Sequence, residues 1–351
     1  MNKTIKISKD KFIGHGHPCF IIAEAGVNHD GDLSKAKELI DVAIDAKADA
    51  VKFQMFSTEE YASDDAFLAT YHKKGLLNKN ETIKELLKRL ELSKKHFIEL
   101  CKYAKKRKIL IFATAFDEDN ANFLFKNGVD LFKIASFSLT NFKLIENIAK
   151  KKLPTIMSTG LHNLSEIEFA YNIFNKFNKN LILLQCTSHY PIKSEDSNLL
   201  VMNTLKNAFD CEVGFSDHTM GINVSLAAVA LGAKVIEKHY TIETSLYGVD
   251  HDASLGPEEL KKLVHGIREV ESAMGTSRKT IPEIEKEIQK VHRPSLISNK
   301  IIKKGSIISK SMISIKKPGI GINPMQIEWV IGRKVKNKID KNKLIMKKDL
   351  I

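Results

Sequence analysis

Two histidines with similar sequence surroundings are the residues of this chain best suited to metal chemistry. His218 lies in the segment GFSDHT and His239 in IEKHYT, 21 residues apart, and each ends a short apolar run. That spacing is about one strand-helix-strand unit, so two neighbouring parallel strands would bring both imidazoles to the same end of a sheet. Neutral imidazole is a common ligand of divalent metals. The pair predicts a metal site, although a single histidine at a strand end is usually an ordinary surface or loop residue.

Two lysines lie inside apolar runs, Lys52 in DAVKFQM and Lys133 in DLFKIAS. A buried ammonium group without an anionic partner carries a large desolvation cost, so each lysine either pairs with a carboxylate or awaits an anionic ligand. Together with nearby hydroxyl residues they favour a pocket for phosphate and carboxylate groups. An internal ion pair with Glu24 or Glu237 is the alternative. Schiff-base chemistry on a lysine is a further one, against which the histidine pair argues.

Eight short apolar or β-branched runs alternate with amphipathic stretches, which is typical of repeated strand-helix units. The runs occupy residues 20–25, 49–55, 109–115, 130–136, 155–159, 181–187, 211–216 and 234–239. Eight repeats over about 275 residues match the α/β fold of a (β/α)8 TIM barrel. A doubly wound open sheet is the competing fold, but GVNHDG after the first run lacks the GxGxxG spacing of a nucleotide loop.

The carboxyl ends of the predicted strands carry polar residues, and in a barrel the chemistry takes place at that end. Strand one ends in Glu24, strand two carries Gln54, strand three ends with Thr114, and Ser136 and Ser158 follow on strands four and five. The remaining ends supply Ser188, Tyr190, Ser216, His218, Glu237 and His239. Neighbouring strands are about 4.8 Å apart, so we expect these side chains to converge on a small ligand.

The chain is expected to form two domains joined by a polar linker. The barrel covers residues 1–275, the linker 276–292 and a small β-rich domain 293–351. An alternating N-terminal stretch, TIKISKDKFIG, predicts a hairpin under the barrel floor. The segment 61–89 is the longest interruption and is typical of a lid over a barrel mouth.

The net charge of +13 lies entirely in the tail, where residues 276–351 hold 19 Lys and Arg against 6 Asp and Glu. A basic tail can bind nucleic acid, but Trp329 is the one aromatic residue there that could stack on bases, so a solvated surface is the favoured interpretation. No run is long and apolar enough to span a membrane and no signal sequence is recognisable. The four cysteines show no CxxC pairing. We therefore expect a cytoplasmic protein with reduced thiols and without nucleic-acid or membrane partners.

At these positions the chain resembles the sialic acid synthase family. The matching segments, in order, are IIAEAGVNHDG, AVKFQ, FKIAS, STG, CTSHYP, GFSDHT, ALGAKVIEKHYT and GVDHDASL. The tail segments RPSLIS, IKKGSIIS and IKKPGIGI resemble the SAF (antifreeze-like, β-clip) domain that follows the barrel in that family. The resemblance implies condensation of phosphoenolpyruvate with an N-acylated amino hexose to give a nonulosonic acid and phosphate, for surface polysaccharide or glycan biosynthesis. It also implies a domain-swapped homodimer.

The resemblance assigns roles by position. His218 and His239 match ligands of a divalent metal, Mn²⁺ or Mg²⁺, that would polarise the sugar aldehyde. Residues matching those that hold the phosphate and carboxylate of phosphoenolpyruvate are Lys52, Thr114, Lys133, Ser136, Ser158, Ser188 and Ser216. Glu24 matches an acidic group beside the reacting carbons, and Asp250 one near the acceptor sugar. Gln54 and Tyr190 are expected to make supporting contacts. Glu24, Lys133 and the two histidines are the predicted catalytic residues.

Three positions depart from the family pattern. Ser138 stands where an acidic residue contacts the sugar, Lys317 where an arginine reaches the acyl group, and Ala115 where proline is usual. Lysine lacks the planar fork of arginine, so the contact of Lys317 would differ. The donor is therefore better defined than the acceptor, for which N-acetylmannosamine and a diacetamido-trideoxyhexose leading to a legionaminic- or pseudaminic-type acid both remain open. A metal-dependent pyruvate aldolase and a polyanion-binding protein are the alternative functions.

Overall fold

The structure is a computed structural model that describes residues 3–68, 75–77 and 80–351. The chain forms two compact units, Met1–Gly275 and Thr276–Ile351. The division falls at the residue where the helical pattern of the predicted barrel ends. Part of the predicted lid, 69–74 and 78–79, lies outside the described residues.

The first unit is a closed barrel of eight parallel strands, as the sequence predicts. A two-stranded antiparallel hairpin, β1 and β2, precedes it. The hairpin strands are Thr4–Lys6 and Phe12–Gly14. The barrel strands β3 to β10 are Phe20–Gly26, Ala50–Met55, Leu110–Ala115, Phe132–Ile134, Thr155–Ser158, Leu181–Cys186, Glu212–Asp217 and Val235–His239. Strand β10 pairs with β3 and closes the cylinder.

Most of the helices surround the barrel because their apolar faces pack on the strands. The helices α1 to α10 are Leu33–Asp45, Thr58–Tyr61, Ile83–Leu90, Lys94–Arg107, Glu118–Lys126, Phe142–Lys150, Leu164–Asn175, Val201–Phe209, Asn223–Ala230 and Pro257–Met274. In α1 the buried face includes Ala36 and Leu39, and the Asp32 carboxylate accepts from two backbone N–H groups of the first turn. No helix of the described residues is both long and apolar enough to cross a membrane.

The interior of the barrel is apolar at its amino-terminal end and polar at its carboxyl end. Alternate residues of each strand face inward. The lower layers contain Phe20, Ile22 and Phe112, and Ile5 and Ile13 of the hairpin pack against them. The hairpin thus closes the barrel floor as predicted. Because the floor is filled with apolar side chains, the polar residues further along the same strands lie above a dry base.

The second unit is a small β-rich domain with its own core. The predicted linker contains helix α11, Glu285–His292. Two antiparallel strands follow, β11 at Ser295–Ser298 and β12 at Ile313–Lys316, and then the short helix α12 at Ile327–Val330. Their apolar residues form a cluster that is separate from the barrel core.

Candidate active site

The register of the barrel strands brings the predicted polar residues side by side. His239 pairs with Glu24 and Glu24 with Lys52, while Gln54 pairs with Thr114 and Thr114 with Lys133. These residues continue the inward-facing positions of strands whose lower residues fill the apolar floor. The polar ends therefore form a layer inside the barrel mouth.

This layer opens into a cavity of about 730 Å³, large enough for two small substrates. Thirteen of the fifteen predicted site residues line the cavity. They are Glu24, Lys52, Gln54, Thr114, Lys133, Ser136, Ser158, Ser188, Tyr190, Ser216, His218, His239 and Asp250. The segment predicted to be a lid also reaches the cavity through its described residues, Tyr61 to Phe67 and helix α3.

The base of the cavity, called the cavity floor below, is polar and lies above the apolar barrel floor. There the two predicted lysines are paired with carboxylates. Lys52 Nζ lies 2.6 Å from Glu24 Oε2 and 3.5 Å from Glu237 Oε1, and Lys133 Nζ lies 3.3 Å from Glu237 Oε1. Lys52 also donates to Thr114 Oγ1 at 2.9 Å. The internal ion pairs that the sequence left as an alternative are thus present in this structure. An ammonium group has three donors, so Lys52 is matched by its three partners, whereas the pair of Lys133 with Glu237 leaves room for further acceptors.

The two carboxylates of the floor differ in proton affinity. Burial raises the pKa of Glu24 to about 7, and Lys52 offsets that only in part. Burial also acts on Glu237, but the ammonium groups of Lys133 and Lys52 outweigh it and lower the pKa to about 2. Although burial lowers the pKa of Lys52, Glu237 and Glu24 raise it above its usual value. Environments that separate two carboxylates in this way mark Glu237 as a fixed anion and Glu24 as the group suited to proton exchange.

His218 and His239 approach each other at the rim of this layer, with ring centroids 5.7 Å apart. His218 Nδ1 lies 2.8 Å from the Thr187 carbonyl oxygen. A carbonyl only accepts, so Nδ1 carries the proton and the lone pair of Nε2 is free. Burial lowers the pKa of His218 to about 4 and that of His239 well below its usual value, so both rings are neutral at pH 7. The Tyr190 ring lies against His218 with centroids 4.0 Å apart.

The chemistry of these donors fits a divalent metal. His239 Nδ1 is buried without a hydrogen-bond partner, 3.7 Å from Asp250 Oδ2. A lone buried nitrogen beside a second neutral imidazole matches the ligand preference of transition metals. Within the described ranges no three His, Cys, Asp or Glu side chains form a complete metal-binding group. Water and substrate oxygen would therefore complete the shell of an ion held by the two histidines.

Hydroxyl groups surround Gly160 in another part of the polar layer. The Gly160 N–H donates to Ser136 Oγ at 3.0 Å, and a Cβ at Gly160 would lie 2.5 Å from Ser188 Oγ. The Ser158 hydroxyl is buried and has no partner. A buried hydroxyl left unpaired costs free energy, and an anionic ligand oxygen would satisfy it. This part of the cavity is suited to phosphate or carboxylate oxygens.

Two predicted residues do not line the cavity. Ser138 is buried in the short 3-10 helix Ser136–Ser138, where the strand alternation ends, and the neighbouring Phe137 faces the cavity instead. Ser138 therefore lies away from the cavity in this structure, and its predicted sugar contact stays a prediction. Lys317 is an exposed residue of the second unit, with Nζ 2.9 Å from His292 Nδ1, and its predicted role stays a prediction.

Sequence reasoning missed two features of the site. Glu237 was placed among the polar strand ends and considered as an ion-pair partner, but it was given no role in the site, although it lies two residues before His239 and so faces the same interior. Lys238 between them faces outward, 3.0 Å from Asp217 Oδ2. The second missed feature is an apolar wall, defined as Val27, Phe56, Leu90, Phe116, Phe137 and Val249, all of which line the cavity. Its members come from separate strand-end loops and helices, so no local pattern joins them.

Comparisons with known proteins agree with this architecture. The model of the NeuB family matches residues 39–279 and that of the SAF domain residues 293–351. The N,N'-diacetyllegionaminic acid synthase of Campylobacter jejuni is 43% identical over 93% of this chain and 98% of its own length. The human N-acetylneuraminate-9-phosphate synthase is 36% identical over 99% of this chain and 96% of its own.

A solved structure is similar as well. The N-acetylneuraminic acid synthetase of Leptospira borgpetersenii, crystallised with citrate, has a TM-score of 0.73 and 40% sequence identity over 82% of this chain and 95% of its own. A family match over more than half of the chain, together with relatives that align over nearly its whole length, leaves one conclusion. The chain belongs to the NeuB family and carries a C-terminal SAF domain.

Proposed function

We propose that this enzyme condenses phosphoenolpyruvate with the open-chain form of an N-acylated amino hexose, giving a nonulosonic acid and inorganic phosphate. The observation that carries the proposal is that a pair of neutral histidines and a pair of lysines with surrounding hydroxyls line one cavity. The histidine pair suits an aldehyde oxygen, and the lysine pair suits an anionic donor. The relatives named above are synthases of such acids, which supports the same reaction class.

The donor half of the proposal rests on Lys133 and the hydroxyl cluster. Glu237 holds the Lys133 ammonium group at 3.3 Å and fixes its position without using all of its donors. The unpaired Ser158 hydroxyl and the glycine cradle at Gly160 supply neutral contacts beside it. Preorganised donors are a usual means of holding the charged oxygens of a small ligand.

The reaction balances with these two substrates and water. C3 of phosphoenolpyruvate attacks the aldehyde carbon and forms the new C–C bond, and the aldehyde oxygen takes up a proton. Water adds at C2 and loses one proton. The C–O bond to phosphate then breaks, phosphate leaves with its bridging oxygen, and the second water proton is released as C2 becomes a ketone.

The side chains have separate roles in these reaction steps. Glu24, whose pKa lies at about 7, is suited to take a proton from the attacking water and to stabilise positive charge at C2. His218 and His239 would hold Mn²⁺ or Mg²⁺, which supplies Lewis-acid polarisation of a carbonyl when bound. Asp250 and Gln54 line the cavity near His239 and Glu24 and would orient the acceptor hydroxyls.

The test is a screen of the full chain with phosphoenolpyruvate, Mn²⁺ and a panel of N-acylated hexoses, read by phosphate release and product mass. The expected result is phosphate release only when both substrates are present, with a product that contains the sugar and the three pyruvate carbons. In oxygen-labelled water the released phosphate stays unlabelled. Turnover of pyruvate in place of phosphoenolpyruvate would instead support the aldolase. The domain-swapped homodimer stays a prediction.

A further inference from the structure

One side of the cavity is apolar, and phosphoenolpyruvate, the proposed donor, would not require contacts with it. The floor carries the charged and hydroxyl groups, whereas the apolar wall presents aliphatic and aromatic carbon to the same space. Phosphoenolpyruvate is small and anionic, so its affinity comes from the floor. The apolar wall must therefore face the acceptor.

The aromatic part of the wall is a connected cluster with an open face. The ring centroids of Phe56 and Phe116 lie 5.2 Å apart, and those of Phe116 and Phe137 lie 4.7 Å apart at an interplanar angle of 71°. Phe56 and Phe116 are buried, but Phe137 is 40% exposed. Its ring contacts those of Phe116 and Tyr61, and its exposed part lines the cavity. Such a surface is stabilised when a ligand covers it with carbon.

The position of Phe137 links the apolar wall to the donor site. It directly follows Ser136, whose hydroxyl accepts from Gly160, in the short 3-10 helix that begins at the end of strand β6. The residue that follows, Ser138, is turned away from the cavity and buried. The segment thus offers the acceptor an aromatic ring at the place where the sequence pattern had suggested a polar contact.

The charges of the cavity disfavour an acidic group on the acceptor. Among the described residues that line it, Lys52 and Lys133 are the only ammonium or guanidinium groups, and both are already paired with carboxylates on the floor. A phosphate group placed against the apolar wall would lose hydration without gaining a partner. A hydroxyl group set against the carbon surface of the wall would lose part of its hydration at a smaller cost, and Tyr61, whose ring lies beside Phe116 and Phe137, is the nearest polar side chain of the aromatic cluster.

We propose that Phe137 and the apolar wall select an acceptor whose chain ends in a methyl group, a diacetamido-trideoxyhexose, over one that ends in a hydroxymethyl or phosphate group. The terminal methyl and the acyl methyl groups would cover the wall. The inference rests on the proposed condensation reaction. An apolar surface discriminates against an added hydroxyl only modestly, so the expected preference in kcat/KM is roughly ten- to hundredfold.

The test compares three acceptors at saturating phosphoenolpyruvate and Mn²⁺: a diacetamido-trideoxyhexose, N-acetylmannosamine and its phosphorylated form. The full-length enzyme is expected to use the first with the highest kcat/KM and the phosphorylated sugar least. Equal use of the first two, or preference for either of the others, overturns the inference while phosphate release still supports the reaction. No phosphate release with any acceptor overturns the reaction itself and the inference with it.

Variants locate the preference at Phe137. Phe137→Ser is expected to lower kcat/KM for the trideoxy acceptor about tenfold and that for N-acetylmannosamine by less than threefold, and Phe137→Leu is expected to restore most of the loss. The matched control is Phe169→Ser, because Phe169 is exposed on helix α7 and does not line the cavity. An unchanged acceptor ratio in Phe137→Ser, or the same change in Phe169→Ser, contradicts the assignment.

Discussion

The Lys52 ammonium group lies 2.6 Å from the Glu24 carboxylate, and the exposed fractions of the two side chains are only 2% and 1%. Glu237 lies on the other side of Lys52 and also contacts Lys133. The floor of the active site is therefore a chain of alternating charges rather than a set of free cations. A dianionic donor entering this chain would interact with lysines whose positions are already fixed.

Removal of Lys52 is expected to destabilise the barrel. Lys52→Met leaves Glu24 buried without its nearest cation, and loss of one partner of a buried ion pair typically lowers the free energy of unfolding by about 3–5 kcal/mol. The double variant Lys52→Met with Glu24→Gln should be more stable than Lys52→Met alone, because no unpaired charge remains. Denaturant unfolding followed by far-UV circular dichroism measures the free energy of unfolding of both variants.

The control for this prediction is Lys261→Met. Lys261 Nζ lies 2.8 Å from Glu258 Oε1, but the pair is exposed on helix α10. Exposed pairs contribute little, so no measurable change in stability is expected. A Lys52→Met variant as stable as the natural protein would show that Glu24 is not held as a buried carboxylate.

Lys133→Met is expected to weaken the donor site more than the acceptor site. The substitution keeps a side chain of similar length but removes the ammonium group that Glu237 positions beside the hydroxyl cluster. We expect the KM for phosphoenolpyruvate to rise at least tenfold and the KM for the sugar to change much less. Steady-state kinetics with each substrate varied in turn give both values. Lys143→Met, at an exposed position of helix α6, serves as the control, and an unchanged KM for phosphoenolpyruvate would remove Lys133 from the donor pocket.

The histidine pair is expected to be required for metal binding and for turnover. His218→Ala or His239→Ala removes one of the two imidazoles that the described residues place at the cavity rim, so Mn²⁺ affinity and metal-dependent phosphate release should both be lost. Titration calorimetry measures the first without reference to activity. His265→Ala, at an exposed position of helix α10, should bind Mn²⁺ like the natural protein. Near-normal turnover of either site variant in the presence of a chelator would sink the metal assignment.

The barrel and the placement of its polar residues could be predicted because both depend on local periodicity. Each strand is a short apolar run, and its inward positions follow from alternation, which places Lys52 and Gln54, or Ser216 and His218, on the same face. These steps needed only the pattern within each run and the number of runs along the chain.

The partners of charged residues and the apolar wall could not be predicted, since both depend on which distant segments meet. The sequence offered Glu24 and Glu237 as possible partners of either lysine, and only the register of the closed barrel assigns Lys52 to both. Ser138 was chosen by its place in the family pattern, and it is buried in the structure because strand β6 ends at Ile134 and a 3-10 helix follows. The family pattern does not show which side chain of such a turn faces the cavity, so Phe137 was missed.

One buried histidine outside the site makes the stability of the barrel depend on pH. His29 is fully buried, its Nδ1 accepts from the Gly31 N–H at 2.9 Å, and its Nε2 has no partner. Burial lowers the pKa of His29 from 6.5 to about 4. The unfolded chain therefore binds more protons between these values. The contribution of neutral His29 to the free energy of unfolding is fully present above about pH 6.5 and is lost as the pH falls towards 4. It amounts to about 3 kcal/mol at most.

His29→Asn isolates this contribution, because asparagine can still accept from Gly31 but does not titrate. Urea unfolding of both proteins between pH 7 and 4, followed by far-UV circular dichroism, should show a smaller loss of stability in the variant, while His15→Gln at an exposed position should behave like the natural protein. Circular dichroism is the appropriate signal because the single tryptophan, Trp329, lies in the second unit and would not report on the barrel. Other buried groups also titrate in this range. The test is therefore the difference between the two proteins in how steeply the free energy of unfolding falls with pH, not the slope of the natural protein alone. Equal slopes would mean that His29 takes up its proton in the folded barrel as readily as in the unfolded chain.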